Sequence, residues 1–431
     1  MKNPKPTDTT ALVRRPRKRK WHWIALVVLT GGLVTYRYLT AKPADPSAIL
    51  ANTLNIDPET PNRYLQQTRA TNLAILGRED LVVKARLDSF GGRKPDPTAI
   101  EAEIKFSRWR DVLAKIAAEN RVVMIAENHM STVTRNWISE TLPVFHEAKF
   151  THYCAEAIAD SAWVLRFRGG ANHQTGIYTA DPRFGSAIRR ALSLNMAVSG
   201  YDFRPFSHDT RENYAAEAIR EIANTSGNRI VVHAGHGHVV KYVMDNESSM
   251  MAARFWEKSG IEPYTIYQIT ELHDSDTRDF LLTRLQLQLG DAHDPTDAFV
   301  WQPEIETIRE FRKANFDIPM VDMIVLHPPS TVKGPDSRSP TARHQKQLNG
   351  TWAREQWPVV ISVYGKSDPI DAIPLDQVLL VGGESAFNLW VPESSEFIFR
   401  AFDARGQLKI SSSLKDGQWI LKWPHVETRG E

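Results

Sequence analysis

The 431-residue sequence holds a single cysteine, Cys154. That excludes an intrachain disulfide and any cysteine-built metal cluster. No Gly-x-Ser-x-Gly elbow, P-loop or dinucleotide fingerprint occurs in its strand–helix turns, which argues against a serine hydrolase, an NTPase and a dehydrogenase. A basic body is missing too. The formal net charge is +2, but residues 1–42 carry ten Lys/Arg against one acid, Asp8. That segment therefore holds +9 and leaves −7 for the remainder, so nucleic-acid binding through the body is not indicated. No internal repeat is visible. What is present is ordinary globular composition, 42% hydrophobic and 24% charged, with length for one large domain plus appendages or for two domains.

RRPRKRK (14–20) precedes WHWIALVVLTGGLVTYRYL (21–39). The uncharged stretch from Trp21 to Tyr36 approaches the ~20 residues that a spanning helix needs. Trp21, Trp23, Tyr36 and Tyr38 stand at its ends, where aromatic belts form, and Arg37 can snorkel. The expectation is a cytoplasmic basic tail over 1–20 and a single-pass signal anchor over 21–39 in a bacterial inner membrane. The bulk of the chain is then periplasmic by the positive-inside rule. A cleaved signal peptide is the rival reading, but Leu39-Thr40-Ala41 is not a small-x-small cleavage site.

Residues 40–97 contain six prolines and read as a stalk with short helices, one of them around 62–83. FGGRKPDP (90–97) is a break. Asp96-Pro97 then predicts a helix to about Asn120, with Ile100, Ile104, Trp109, Val112 and Ile116 on one face. From 98 to 330, short apolar runs alternate with helical stretches near 132–148, 183–194 and 210–224. The runs are RVVMIA (121–126), FTHYCAEA (150–157), MAVSGYDF (196–203), RIVVHA (229–234), YTIYQI (264–269) and MVDMIVLH (320–327). That alternation predicts an α/β domain with a mainly parallel sheet and helices on both faces. Residues 331–347, rich in Pro, Ser, Gly and charge, read as a linker. Residues 348–431 read as a small all-β accessory domain, a sandwich or barrel, with a hairpin turn at KDGQ (415–418).

The first four of those runs each end in unusual polar residues. The first leads into Glu127, Asn128 and His129, the second into Glu156, the third into Tyr201 and Asp202, and the fourth into His233, His236 and His238. Ligands of parallel α/β sheets bind beyond the carboxyl ends of the strands. The glycines of RIVVHAGHGHVVK (229–241) let backbone and imidazoles come close to a ligand. Glu156, inside an apolar run, must be paired or carry a raised pKa. Asp202 either acts or caps the next helix, and His233 has the parity of a core position. Carboxylate plus imidazole supports general-base activation of water. His129, Glu156, His236 and His238 also suit a divalent metal such as Zn, Mn or Co. GGANHQTG (169–176), with His173, is either a lid or a plain surface loop. Asp181 and Arg183 either reach the pocket or cap a helix.

IAENH (125–129) and AGHGHV (234–239) resemble the paired Gly-x-x-His motifs of the Tiki superfamily, which takes in Tiki-type metalloproteases, erythromycin esterases and the haem-binding lipoprotein ChaN. The second motif is Gly235-His236-Gly237-His238; in the first, Ala126 stands where the family has glycine. The resemblance covers roughly residues 110–330. It implies that Glu127 and His129 match the pair that activates water in the esterases, and that Arg135 matches their active-site arginine. It also implies that Glu156 is the acid ending the second strand and that His236 and His238 are the distal pair. Esterase-like members are metal-independent, Tiki-like members are metal-dependent proteases, and ChaN binds haem.

The expectation is therefore a membrane-anchored periplasmic hydrolase of an ester or peptide bond. Its catalytic set is Glu127, His129, Arg135, Glu156, Asp202, His236 and His238, possessing a divalent metal on His129, Glu156, His236 and His238 if one is used. Two alternatives stand beside it. One is a haem- or iron-binding protein using Tyr201, His233, His236 and His238. The other is a non-catalytic envelope scaffold whose C-terminal β domain binds a partner.

Overall fold

The computed structural model describes residues 45–84, 94–202, 207–242, 249–272, 275–290, 297–328, 345–353, 357–393 and 396–422. The chain divides by its contacts into residues 1–42 and residues 43–431. The basic tail and the anchor expected over 21–39 lie outside the described residues. Among the described residues no helix is long and apolar enough to cross a membrane.

An eight-stranded sheet is built from β1 (Phe106–Arg108), β2 (Val122–Glu127), β3 (His152–Ala155), β4 (Ala197–Gly200), β5 (Ile230–Gly235), β6 (Tyr264–Ile269), β7 (Phe299–Trp301) and β8 (Met323–Leu326), in the order β1-β7-β8-β6-β2-β5-β3-β4. From β8 to β4 every pairing is parallel; β7 runs antiparallel to both of its neighbours. Period-2 alternation divides each central strand between two cores. Val122, Met124 and Ala126 enter one core, and Val123 and Ile125 the other.

The helices α4 (Trp109–Glu119), α5 (Thr132–Glu147), α6 (Ala162–Arg168) and α7 (Pro182–Ser193) pack on the Val123 face. The helices α8 (His208–Asn224), α9 (Met251–Ser259), α10 (Ser275–Leu289) and α11 (Ile305–Lys313) pack on the other. The connection leaving β2 thus covers one face and the connection leaving the adjacent β5 covers the opposite face. Their carboxyl ends open a crevice at this switch point. Glu127 and Gly235, the last residues of the two strands, stand opposite each other in register.

Two expectations in this region are corrected. Asp96-Pro97 opens only a single 3-10 turn, Pro97–Ala99, and α4 begins at Trp109. The intervening Phe106 extends the chain to pair with β7. Glu156 lies just past β3, not within it.

The C-terminal part has two four-stranded sheets. One contains β10 (Val359–Gly365), β11 (Asp376–Leu380), β13 (Phe397–Asp403) and β14 (Gly406–Leu408). The other contains β9 (Gln345–Trp352), β12 (Ala386–Pro392), β15 (Ser411–Lys415) and β16 (Gln418–Lys422). Apolar side chains from both sheets form the core between them. β9 starts inside the expected linker.

The segment read as a stalk is part of this fold. Three helices, α1 (Pro46–Leu54), α2 (Arg63–Ile75) and α3 (Glu79–Lys84), set Leu50, Leu73 and Leu76 against Val360, Leu379 and Phe402 on the outer face of the β10 sheet. Buried Arg78 donates to the carboxylates of Asp80 and Glu384 and to the Leu379 carbonyl. The composition suggested solvent exposure, but Leu50, Leu73 and Leu76 are buried.

Candidate active site

Glu127 is buried at the end of β2, where the pleat aims it to the α5–α7 side of the sheet. One turn into α5, the fully buried Arg135 returns to it. Arg135 Nε lies 2.6 Å from Glu127 Oε2 and Nη2 lies 3.1 Å from Oε1. The same carboxylate meets His129 Nδ1 at 2.6 Å and His233 Nε2 at 2.7 Å. Burial opposes ionisation of Glu127, but Arg135, His233 and His129 outweigh it and hold its pKa well below the usual carboxylate range. An ionised carboxylate only accepts hydrogen bonds, so both imidazoles must donate to it. His129 then donates through Nδ1, and its Nε2 lies toward Gly235 and Glu156. His233 carries its proton on Nε2, and its Nδ1 accepts from the Tyr153 hydroxyl at 2.6 Å. Burial and the charge of Glu127 push the Tyr153 phenol well above its usual pKa, which keeps it a donor.

Asp181 closes this half of the site. Its Oδ1 caps α7 by accepting from Arg183 N at 2.7 Å, and its Oδ2 accepts from Arg135 Nη1 at 2.6 Å. Tyr178 stacks on the His129 ring with centroids 4.0 Å apart and planes at 17°.

The second half lies on the α8 side. Buried Glu156 accepts from Gly235 N at 2.6 Å and is ion-paired to Arg211. Arg211, on α8, is held by a two-point contact with Asp202, Nε to Oδ1 at 2.8 Å and Nη2 to Oδ2 at 2.9 Å. One residue on, Glu212 is fully buried, and His238 Nδ1 lies 2.8 Å from its Oε1. His238 Nε2 is 3.8 Å from Glu156 Oε1. Burial raises the pKa of Glu156, but His238, His129 and Arg211 lower it more, so it stays ionised. For His238, burial disfavours the charged form, and the contact with Glu212 and the charge of Glu156 more than offset this, so its pKa is raised.

Gly235 joins the halves. A Cβ there would stand 2.9 Å from His129 Nε2 and 3.1 Å from Glu156 Oε2, so no larger residue fits between them. Immediately after Glu156, Ala157 adopts φ 62°, a left-handed conformation that non-glycine residues seldom take and that clusters at functional sites.

Six of the expected residues, Glu127, His129, Arg135, Glu156, Asp202 and His238, thus come together. His236 turns elsewhere, against the Tyr267 ring at 4.5 Å. The expected metal set is corrected accordingly. Among the described residues no group of three or more His, Cys, Asp or Glu is arranged to hold a metal. Glu156 is engaged by the Arg211 guanidinium and the Gly235 N–H, and His236 lies against the Tyr267 ring, so the four expected ligands do not fit a shared cation. The haem ligands do not fit either. Tyr201 donates to the His233 carbonyl, and both ring nitrogens of His233 are engaged.

His233 is not a passive core residue but a partner of Glu127. Tyr153, Tyr178, Arg211 and Glu212 were absent from the sequence reading. For His233 and Tyr153 the usable signal was polar side chains at matching pleat parity on adjacent strands. For Glu212 there was none, because HDTRENYAAEAIR reads as an ordinary amphipathic helix. Arg183 points away from the site to Asp376, at 3.7 Å. The 169–176 segment is no free lid: Asn172 Nδ2 donates to Asp371 Oδ2 at 2.7 Å and His173 N to Asp371 O at 3.2 Å.

A raised folded-state pKa at His238 stabilises the protein fully below the ordinary value of about 6.5 and is lost as pH rises through the folded midpoint. His238→Gln is therefore expected to flatten the fall in Tm as pH rises above about 6.5. Thermal melts across that range check this, and an unchanged slope in the variant contradicts the assignment.

No protein-family model and no curated protein matches this chain. Weak similarity to solved structures is found. The type III effector HopBA1 is 17% identical with a TM-score of 0.26, over 42% of this chain and 88% of that one. RRSP, a MARTX toxin effector domain from Vibrio vulnificus, is 15% identical with a TM-score of 0.25, over 41% and 39% of the two chains. The C-terminal region of Pasteurella multocida toxin, described with a thiol-protease-like catalytic triad, is 13% identical with a TM-score of 0.28, over 49% and 31%. The chain thus spans well under two thirds of the latter two.

Proposed function

We propose that residues 98–330 form a hydrolase of the Tiki/erythromycin-esterase-like type, acting on an ester or peptide bond through a Glu/His constellation. The observation that carries the reading is a pair of Glu–His dyads, Glu127–His129 and Glu212–His238, flanking Glu156. In each dyad a buried glutamate takes Nδ1. His129 Nε2 then takes a proton from water held beside Gly235 and Glu156, and Glu127 stabilises the imidazolium. His238, whose pKa is raised by Glu212 and Glu156, presents Nε2 as the acid for the leaving group. Arg211, a quarter exposed and locked by Asp202, supplies positive charge for the developing oxyanion. Arg135 stays buried and positions Glu127.

The chain is further proposed to be anchored by residues 21–39 in a bacterial inner membrane with this unit in the periplasm. The basic cluster at 14–20 and the aromatic ends of the apolar run support that topology.

Assay of membranes from expressing cells against ester and peptide panels tests both parts. His129→Ala is expected to cut turnover by about 10²–10⁴-fold with the circular dichroism spectrum unchanged. The activity of the unaltered chain is expected to fall as pH rises through the raised midpoint of His238. Full turnover in His129→Ala removes the mechanism. Turnover found only in the soluble cytoplasmic fraction removes the anchor.

A further inference from the structure

We infer that the C-terminal β domain is a constituent of the candidate site, because it holds the segment 169–181 that supplies Tyr178 and Asp181. This deepens the hydrolase reading and rests on it for catalytic meaning alone; the contacts stand by themselves. The β10–β11 connection carries Asp371, Ala372 and Ile373. Asp371 receives Asn172 through its carboxylate and His173 through its carbonyl. Ala372 forms an antiparallel bridge with Asn172, and Ile373 N donates to Ala171 O at 3.4 Å.

Ile373 is fully buried and enters the α/β core beside Phe184 and Ile188 instead of its own domain's core. The approach to α7 is close: a Cβ on Gly185 would lie 2.9 Å from Ile373 Cγ2. Arg189, on the same helix, donates to the carbonyls of Ile373 and Pro374, both at 3.2 Å. A half-buried guanidinium bound to two carbonyls fixes the connection against α7.

Everything held there leads into the site. Thr175 Oγ1 donates to Asp160 Oδ2 at 2.6 Å, which fixes the segment to the turn after Glu156. Three residues later Tyr178 covers one face of His129, and Ala180 packs with Val360, Leu379 and Phe402 of the β domain. Asp181 then meets Arg135. The β domain thereby sets one wall of the cleft and the face from which the His129 imidazole is shielded. Asn172, Asp371 and Ile373 act as positioning residues.

The test is histidine-selective NMR on the full chain in detergent, comparing Asn172→Ala/Asp371→Ala with the unaltered protein. Loss of the clamp is expected to remove the ring-current shift that Tyr178 imposes on the His129 Cε1–H signal and to leave His238 in place. Asp371→Asn, which keeps an acceptor for Asn172, is expected to restore the wild-type spectrum. An unmoved His129 signal in the folded double variant overturns the inference, and so does an equal displacement of His129 and His238. Should the double variant fail to fold, Asn172→Ala alone is read in the same way. On a hydrolysed substrate, the double variant is expected to lose roughly tenfold to hundredfold in kcat with little change in KM, the mark of a misplaced base. No turnover by the unaltered chain sinks the hydrolase reading and leaves the NMR comparison decisive for the clamp.

Discussion

One buried carboxylate organises this molecule. Glu127 gains a guanidinium and two imidazoles within 3.1 Å, and each of those groups is fixed by something else. Arg135 is held by Asp181, His233 by Tyr153 and His129 by Tyr178. Removing one partner of a buried ion pair leaves an uncompensated charge, at a cost of about 3–5 kcal/mol. Such a cluster is poor value as stabilisation, since apolar residues of the same volume often do as well. Its use is to hold one imidazole in one tautomer at the mouth of a crevice.

The crevice follows from chain topology. β2 and β5 are neighbours, yet the connections that leave them cover opposite faces of the sheet. Each face contributes one glutamate–histidine pair, Glu127–His129 from one side and Glu212–His238 from the other. Glu156 and Gly235 stand where the halves meet. A carboxylate-rich neighbourhood raises the pKa of His238, while the position of His129 beside Arg135 is set by Glu127. Two imidazoles in unlike surroundings give an acid and a base, which is the division of labour that hydrolysis needs.

Much of this was legible in the residues. The runs at 121–126, 229–234 and 264–269 are strongly apolar, and their strands formed within a residue or two of expectation. Glu127 stood out as a polar residue at a strand end, and Glu156 because a carboxylate inside an apolar run needs a partner. The partners themselves were harder to see. Glu212 and Arg211 sit in a helix whose polar pattern is what any solvated face would have. Asp181 displayed its capping role in sequence, while its contact with Arg135 depends on how α7 crosses α5. His236 was misread because its place in the GHGH motif matched His238, but the 3-10 turn at His236–Val239 sends the two rings in different directions. The segment 40–97 reads as a stalk by its proline content. Only tertiary packing shows that Leu50 and Ile373 are core residues.

The claim on which the account turns is that Glu127 is an ionised acceptor shared by two histidines that donate to it. Nitrogen-15 NMR of the side-chain imidazoles near pH 8 measures this directly. The account predicts His129 protonated at Nδ1 and His233 protonated at Nε2. A His129 imidazole protonated at Nε2 instead would contradict it, because the base proposed for water activation would then have no lone pair facing the cleft.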